Sequence, residues 1–269
     1  MFNFLYARKH ILRDIISNLL VNFSLKYKKI KKDFNKSLTQ NNNSKDIINE
    51  INDKGFFLLE SVLDESKLKM ISSEFEFVIQ NRENEFKDNN SNSIQVRYFN
   101  KNNLFDEKLL STFAVLNDRY IKRIISNLLN NNFVYNSQIF FQETNVTNDP
   151  LAGEIHFDKL HQLKVWIFVN DVDEFNGPIE LYLKSHLVNK EKRKNCYKEL
   201  KEVDNCYKGE DFETVKIKGK AGSILIFDSD LYHRATKVVK NNRKIIRGHS
   251  MSYSTLKYQY ELERSLHKN

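Results

Sequence analysis

Six strand-length segments rich in Ile, Val, Phe and Tyr follow one another after residue 133, and they constrain the fold more than any other feature of the sequence. They are residues 134–143, 164–172, 179–183, 214–217, 223–228 and 244–253. The chain before them has the periodicity of helices. Helices that precede strands, instead of alternating with them, favour an α+β or mainly β chain with an antiparallel sandwich or barrel over a βαβ fold.

Helical patterns surround one short strand in the part that precedes these segments. A glycine turn at Gly55 leads into a strand within residues 53–60, and a helix with Asp64 as its N-cap follows to about residue 81. A further helix is predicted over residues 108–130. We therefore expect helices to flank the barrel on its N-terminal side.

The first 45 residues have a pattern of their own. Apolar residues recur at helical spacing between residues 4 and 23, lysines cluster between 26 and 32, and a polar stretch rich in asparagine covers 39–45. We predict a basic amphipathic helical extension with a linker over residues 1–45 and one main domain over 46–269. The helix within 4–36 either packs on its own domain or lies on a membrane or a partner protein.

Positive charge is in excess, with 43 Lys and Arg residues against 35 Asp and Glu residues and a formal net charge of +8. The excess fits a solvated surface of mixed charge, and it also fits contact with an anionic ligand, carrier or membrane. No recognisable nucleic-acid module accompanies it, so no nucleic-acid partner is expected. Nothing in the sequence indicates an oligomeric state.

Several function classes lose support because their motifs are absent from the sequence. It has no Gly-rich nucleotide-binding loop, no GxSxG elbow and no HExxH zinc motif. Its two cysteines, Cys196 and Cys206, do not suggest a disulfide framework or a structural zinc site. The start of the chain has no signal-peptide pattern, so we expect a cytoplasmic protein, with peripheral membrane contact as an open alternative.

The first chemically informative motif is His156-Phe157-Asp158. In an extended segment the side chains at positions i and i+2 point to the same face, so His156 and Asp158 project together while Phe157 points to the other side. One imidazole and one carboxylate on a common face supply two ligands for a divalent metal. Taken alone, the pair is more often a surface hydrogen bond between His and Asp.

A second segment, residues 221–235, strengthens the interpretation of His156 and Asp158 as metal ligands. A glycine turn leads into a strongly apolar strand, and His233 follows the end of that strand. Two histidines and one carboxylate that leave other coordination positions open form the facial triad of non-haem Fe(II) oxygenases. His156, Asp158 and His233 are therefore the predicted metal ligands and catalytic centre.

Arg243 follows ten residues after His233. Oxygenases of this type take two electrons from a chelating 2-oxo acid, and its distal carboxylate calls for a planar, permanently charged partner, which Arg provides. Alone, Arg243 also fits a surface cation, because Lys240, Asn241 and Asn242 precede it.

Taken together and in this order, the residues resemble the phytanoyl-CoA dioxygenase family of Fe(II)- and 2-oxoglutarate-dependent oxygenases. The resemblance covers roughly residues 53–255 and lies in the segments 55–57, 63–65, 156–158, 163–172, 176–178, 183–186, 221–235 and 243. Two features depart from the family pattern. Leu183 and Lys184 stand where Pro-Gly is usual, and a charged insert at 190–213 is expected to form a solvated helix or a lid over the site.

The resemblance implies a double-stranded β-helix, which is a cupin-like jelly-roll barrel, with iron, 2-oxoglutarate and dioxygen as cofactor and co-substrates. Arg243 would hold the 5-carboxylate of 2-oxoglutarate, and the products would be succinate, carbon dioxide and a hydroxylated substrate. The carboxylate of Asp158 favours hydroxylation, because a related halogenase needs a small residue at that position.

Three further positions are weaker candidates for contact with 2-oxoglutarate: Gln142, Trp166 and Ser252. Two of them have an ordinary alternative, which is an exposed strand residue for Gln142 and a core residue for Trp166. The substrate is expected to be a small or carrier-bound molecule, and the basic charge suggests an anionic one. The alternative function is a jelly-roll protein of the same family that binds a ligand or metal without turnover.

Overall fold

The structure, a computed structural model, describes residues 30–32, 43–81, 85–88, 92–98, 107–130 and 133–266. Its helices are α1 (Ser44–Lys54), α2 (Glu65–Asn81), α3 (Leu110–Leu116), α4 (Arg119–Leu128), α5 (Ser185–Glu199) and α6 (Tyr253–Leu266). Its strands are β1 (Phe56–Leu59), β2 (Glu85–Asp88), β3 (Ser93–Tyr98), β4 (Phe133–Thr144), β5 (Leu163–Phe168), β6 (Ile179–Tyr182), β7 (Thr214–Ile217), β8 (Ile224–Asp228), β9 (His233–Ala235) and β10 (Arg243–Ser252).

The strands form two antiparallel sheets. The larger has the order β1-β8-β5-β10-β4-β3-β2, and the smaller has the order β7-β6-β9. Alternate residues of the large sheet point to opposite faces, so that each face packs against a different part of the molecule. Two antiparallel sheets with helices on one side are the predicted arrangement.

The outer face of the large sheet packs against helices α1 to α4. Phe75 of α2 and Phe141 of β4 are fully buried there, with ring centroids 6.0 Å apart. Ile167 and Ile226 belong to the same cluster. This helical layer holds the sheet from behind and leaves the opposite face for the site.

The inner face of the large sheet lies opposite the small sheet, and together they enclose a second apolar core. Its members from the large sheet include Trp166, Phe168, Leu225, Phe227 and Ile245. The small sheet contributes the following buried residues: Ile179, Leu181 and Ile217. Polar side chains share this inner face, and they form the site.

The strand predictions agree with β4, β5, β6, β7, β8 and β10, whereas one helix prediction is wrong. Residues 108–130 form two helices instead of one, because Asp118 interrupts the helix and caps α4. Its carboxylate accepts a hydrogen bond from the backbone N–H of Tyr120 at 2.6 Å. Asp64 caps α2 as predicted and accepts a hydrogen bond from the N–H of Lys67 at 3.0 Å.

The N-terminal predictions lie largely outside the described residues. Of the helix expected within 4–36, only residues 30–32 are described; they are helical, and Ile30 packs against the outer core. Helix α1 begins at Ser44. The division at residue 45 stays a prediction. None of the helices in the described ranges is both long enough and apolar enough to cross a membrane.

Candidate metal centre

The backbone brings the two predicted metal-binding segments together. His156 and His233 form a reciprocal pair, with the N–H of His156 donating to His233 O at 3.1 Å and the N–H of His233 donating to His156 O at 2.7 Å. The N–H of Asp158 donates to Ser229 O at 3.0 Å. The HxD segment and the segment around His233 are therefore held side by side at the edge of the small sheet.

The three side chains converge. One ligand atom from each of His156, Asp158 and His233 lies within 4.8 Å of the other two. In both histidines Nδ1 lies 2.8 Å from a backbone carbonyl, that of Glu154 for His156 and that of Leu231 for His233. A carbonyl can only accept a hydrogen bond, so each Nδ1 carries a proton, and in the neutral form of the ring this leaves the lone pair on Nε2. This is the tautomer that metal-binding histidines adopt.

Lys164 fixes the carboxylate of Asp158. Its Nζ lies 2.7 Å from Asp158 Oδ2, and the other oxygen, Oδ1, lies 3.6 Å from His233 Nε2. Burial alone would raise the pKa of Asp158, but several opposing interactions, of which that with the ammonium of Lys164 is the largest, together hold this pKa well below its usual range. Burial and the same ammonium lower the pKa of His233 to about 3. At neutral pH the site thus offers a charged carboxylate and a neutral imidazole, as a divalent metal requires.

The donor set fits iron. Two imidazoles and one carboxylate, with no further side chain among the described residues completing the coordination sphere, match the facial triad expected for non-haem Fe(II). Phe157 points away from this set, as predicted. It is fully buried and packs edge to face on Tyr232, with ring centroids 5.5 Å apart.

The charged insert at 190–213 supports the metal segment from behind. Asn205 brackets the backbone of Phe157: its Nδ2 donates to Phe157 O at 2.7 Å, and its carbonyl accepts from Phe157 N at 3.2 Å. Val203 of the insert is buried in the cluster around Phe157 and Tyr232. The expected solvated helix is therefore only partly solvated, because Asn189 and Arg193 on one side of α5 are buried.

Arg193 joins helix α5 to both metal-binding segments. Its Nε donates to Asp230 Oδ1 at 2.6 Å, and its Nη atoms donate to the carbonyl oxygens of Asp158 and Lys159. Asp230 follows β8 and precedes His233 by three residues. One buried guanidinium thus connects the insert, the HxD segment and the end of the apolar strand.

A second cluster of potential ligands adjoins Arg193. His161, Asp228 and Asp230 have ligand atoms within 4.8 Å of one another. They bind each other instead: His161 Nε2 lies 3.1 Å from Asp228 Oδ1, and Asp230 pairs with Arg193. Burial alone would lower the pKa of His161, but the two carboxylates raise it. We assign this cluster to the support of the site and not to a second metal.

We predict that Arg193→Ala lowers the free energy of unfolding by about 3 kcal/mol, because it leaves Asp230 buried without its cation. Lys194→Ala on the exposed side of α5 is the matched control and should change it by less than about 0.5 kcal/mol. Chemical denaturation of both variants measures the difference. Equal losses would show that Arg193 does not hold the two segments together.

Arg243 lies at the start of β10 and is buried, with 2% of its surface exposed. Its Nη1 donates to Gly177 O, whereas its Nε has no hydrogen-bond partner. No carboxylate among the described residues pairs with it. Burial and the neighbouring Arg247 lower the pKa of Arg243 to about 10, so the side chain remains charged at neutral pH. A buried cation with an unpaired N–H group suits a ligand carboxylate.

The other predicted contacts separate into two groups. Gln142 and Trp166 lie on the inner face, opposite Ile245 and Arg247 of β10, so they share the face that carries Arg243. Ser252 does not join them. Its hydroxyl accepts from the N–H of Thr255 at 3.2 Å and caps α6, and nine residues of strand, about 30 Å, separate it from Arg243.

Sequence reasoning missed Lys164 and Arg247. Lys164 is the single cation of β5, and Arg247 is the third cation of β10 after Arg243 and Lys244; alternation places both on the inner face with Trp166 and Arg243. A charge on the buried face of a strand was the signal that could have found them.

Comparison with known protein families then identifies the family of this chain. The family model described as phytanoyl-CoA dioxygenase (PhyH) matches residues 51–244, which is most of the chain. The chain belongs to the phytanoyl-CoA dioxygenase family. The resemblance deduced from the motifs is thereby confirmed, and so are iron and 2-oxoglutarate as the cofactor and co-substrate of the class. No curated protein matches the sequence significantly.

Solved structures confirm the fold. The non-heme α-ketoglutarate-dependent epimerase SnoN from nogalamycin biosynthesis is 13% identical, with a TM-score of 0.57 over 78% of this chain and 82% of its own. The carbocyclase SnoK from nogalamycin biosynthesis is 14% identical, with a TM-score of 0.54 over 78% and 85%. HygX from Streptomyces hygroscopicus, with nickel and 2-oxoglutarate bound, is 8% identical, with a TM-score of 0.54 over 77% and 87%. At such identities these structures establish the jelly-roll fold.

Proposed function

We propose that this iron- and 2-oxoglutarate-dependent oxygenase hydroxylates a small-molecule or carrier-bound substrate and releases succinate and carbon dioxide. The observation that carries the proposal is the convergence of His156, Asp158 and His233, with Nδ1 of each histidine bound to a backbone carbonyl. Arg243 supplies the second element, a buried cation without a carboxylate partner among the described residues.

When bound, iron and 2-oxoglutarate supply a two-electron oxidation by dioxygen, in which 2-oxoglutarate becomes succinate and carbon dioxide. The residues of this chain would bind these two groups and orient them. Glu154 O and Leu231 O hold the two imidazole Nδ1 protons, so that His156 and His233 would hold the metal through their Nε2 atoms. Lys164 occupies one oxygen of Asp158 and leaves the other available.

Arg243 binds the 5-carboxylate of 2-oxoglutarate through the N–H groups that the carbonyl of Gly177 does not use. Gln142 and Trp166 share the inner face with Arg243; the amide of Gln142 would contact the co-substrate, and the ring of Trp166 would border it, which leaves the Trp166 Nε1–H unused. Phe227 excludes water, because its ring packs against both Trp166, at 5.3 Å, and His233, at 5.5 Å.

Asp158 supports hydroxylation as the outcome, because a carboxylate ligand leaves no vacant place for a halide in the first coordination sphere. The similar structures include an epimerase and a carbocyclase, so other outcomes exist on this fold. SnoN and HygX have been solved with nogalamycin RO and hygromycin B, respectively, which supports a small organic substrate here. The competing proposal is a family member that binds a ligand or metal without turnover.

The test measures succinate formed from 2-oxoglutarate by the protein reconstituted with Fe(II), while small and carrier-bound compounds are screened as substrates. A compound that stimulates succinate formation should give a product heavier by one oxygen atom, and heavy-isotope dioxygen should label that atom. A stimulated product without the added oxygen would contradict hydroxylation. Succinate at the level of a metal-free sample with every compound would favour the binding protein.

A further inference from the structure

The inner face of the barrel carries more positive charge than the cofactors of the class neutralise. Apart from the exposed Arg97 of β3, its described ionised side chains are three cations, Lys164, Arg243 and Arg247, and one carboxylate, Asp158. The two positive charges of an Fe(II) ion and the two negative charges of 2-oxoglutarate cancel each other. Lys164 offsets Asp158, and the two arginines leave a surplus of two positive charges in a region of low dielectric. Arg243 is buried and Arg247 is half-buried, so a surplus of this size favours an anionic partner.

Arg247 is the cation whose role the proposed function leaves open. It lies on β10 between the position of Arg243 and that of His249, which pairs across the sheet with Lys164. Its Cζ lies 5.2 Å from the ring centroid of Phe140 and 5.8 Å from that of Trp166. Nη2 donates to Gln95 Oε1. The guanidinium is thus held in a fixed orientation by two aromatic rings and one amide.

Unsatisfied polar atoms surround this guanidinium. The Nε of Arg247 and the Nε1 of Trp166, its neighbour across the sheet, are both buried N–H donors without an acceptor. The Nε2 of His249 is also buried without a partner, and its ring stacks on Phe140 with centroids 4.8 Å apart. No carboxylate among the described side chains forms an ion pair with Arg247. Buried donors without acceptors are rare in folded proteins unless a ligand or water satisfies them.

We propose that Arg247, with Trp166 and Gln95 beside it, binds an oxyanion of the substrate, so that the substrate class is an organic carboxylate or phosphate. The inference rests on the proposed function and names the substrate class of the same site. An oxyanion accepts hydrogen bonds from Arg247 Nε–H and Trp166 Nε1–H and neutralises part of the surplus charge. Arg247 is then a specificity residue: it places the anionic end of the substrate on the inner face, near the metal ligands.

Trp166 makes the proposal directly measurable, because it is the one tryptophan of the chain and lies against Arg247. The anaerobic complex with Fe(II) and 2-oxoglutarate is titrated with inorganic phosphate or acetate at constant ionic strength, and tryptophan fluorescence is recorded. We expect a saturable change with at least one of the two oxyanions. Because 2-oxoglutarate already occupies Arg243, this response reports a separate site, and the preferred anion distinguishes a phosphate from a carboxylate substrate.

Arg247→Met should weaken the oxyanion affinity by about tenfold or more, as expected for the loss of a charge-assisted contact. Arg247→Lys keeps the positive charge but loses the planar guanidinium group, so it should retain part of the oxyanion affinity. If Arg247→Met does not fold, the intermediate affinity of Arg247→Lys still tests the proposal. Lys216→Met removes one positive charge from an exposed position of β7 and should leave the affinity unchanged. The affinity for 2-oxoglutarate should stay within about twofold in all three variants, since Arg243 is untouched.

Three results would overturn the proposal: no saturable response of the wild-type complex, wild-type oxyanion affinity in Arg247→Met, or a loss of 2-oxoglutarate affinity in that variant as large as in Arg243→Ala. The third of these results would show that Arg247 binds 2-oxoglutarate and not the substrate. The titration is repeated with Fe(II) alone. Failure of 2-oxoglutarate to bind the wild type would contradict the proposed function. The titration with Fe(II) alone would then still show whether the oxyanion binds at Arg247.

Discussion

His233→Ala is expected to abolish 2-oxoglutarate turnover and to weaken Fe(II) binding by more than about 100-fold. Mutation of residues that only orient a metal ligand costs about 10- to 100-fold in affinity or activity, and removal of a ligand should cost more. His233 supplies one of the three converging donors, and its Nδ1 is committed to Leu231 O. No other described side chain in the metal-binding set can replace its Nε2.

His186→Ala is the matched control for this variant. His186 is as buried as His233, at 4% exposure, and its Nε2 also binds a backbone carbonyl, that of Asn52. The His186→Ala variant should lose about as much stability as His233→Ala, but it should keep iron binding and turnover. Equilibrium dialysis with Fe(II) under anaerobic conditions, together with a thermal melt, separates the two effects. Equal loss of iron in both variants would show that the effect of His233→Ala is one of folding.

Arg243→Ala is expected to raise the dissociation constant of 2-oxoglutarate by about 100-fold while iron binding is retained. Truncating one partner of a buried, hydrogen-bonded charge pair costs about 2 to 5 kcal/mol, and each factor of ten corresponds to about 1.4 kcal/mol. The side chain is buried and its Nε is unpaired, so a bound carboxylate gains most of its contacts from this one residue.

Arg243→Lys should fall between wild type and Arg243→Ala, because Lys restores the charge without the planar fork. Arg123→Ala, an exposed position of α4, is the control for the loss of one arginine. Titration of the Fe(II) form with 2-oxoglutarate gives all the dissociation constants. A change below about threefold in Arg243→Ala would exclude Arg243 as the carboxylate partner.

The strands and the metal triad could be predicted because their signals are local. Strand-length runs rich in Ile, Val, Phe and Tyr mark β4, β5, β8 and β10, and the HxD spacing alone places His156 and Asp158 on one face. His233 completes the set, and it could be recognised as a candidate ligand only because a strongly apolar strand precedes it.

Other parts depend on contacts between residues far apart in sequence. Strand β3 alternates polar Ser93, Gln95 and Arg97 with Ile94 and Val96, a weak signal whose partner, β4, begins some 35 residues later. The three residues of β9 are too few for any periodicity. The buried role of Arg193 arises from packing between α5 and the metal segments, which no local pattern encodes.

The most direct test of the account is the visible absorption of the wild-type protein with Fe(II) and 2-oxoglutarate in the absence of dioxygen. Chelation of iron by the 2-oxo acid should produce a weak metal-to-ligand charge-transfer band that saturates with 2-oxoglutarate. The account predicts this band, its loss in His233→Ala and its weakening in Arg243→Ala. The absence of the band in a wild-type sample with iron demonstrably bound would contradict the assignment of the 2-oxoglutarate site.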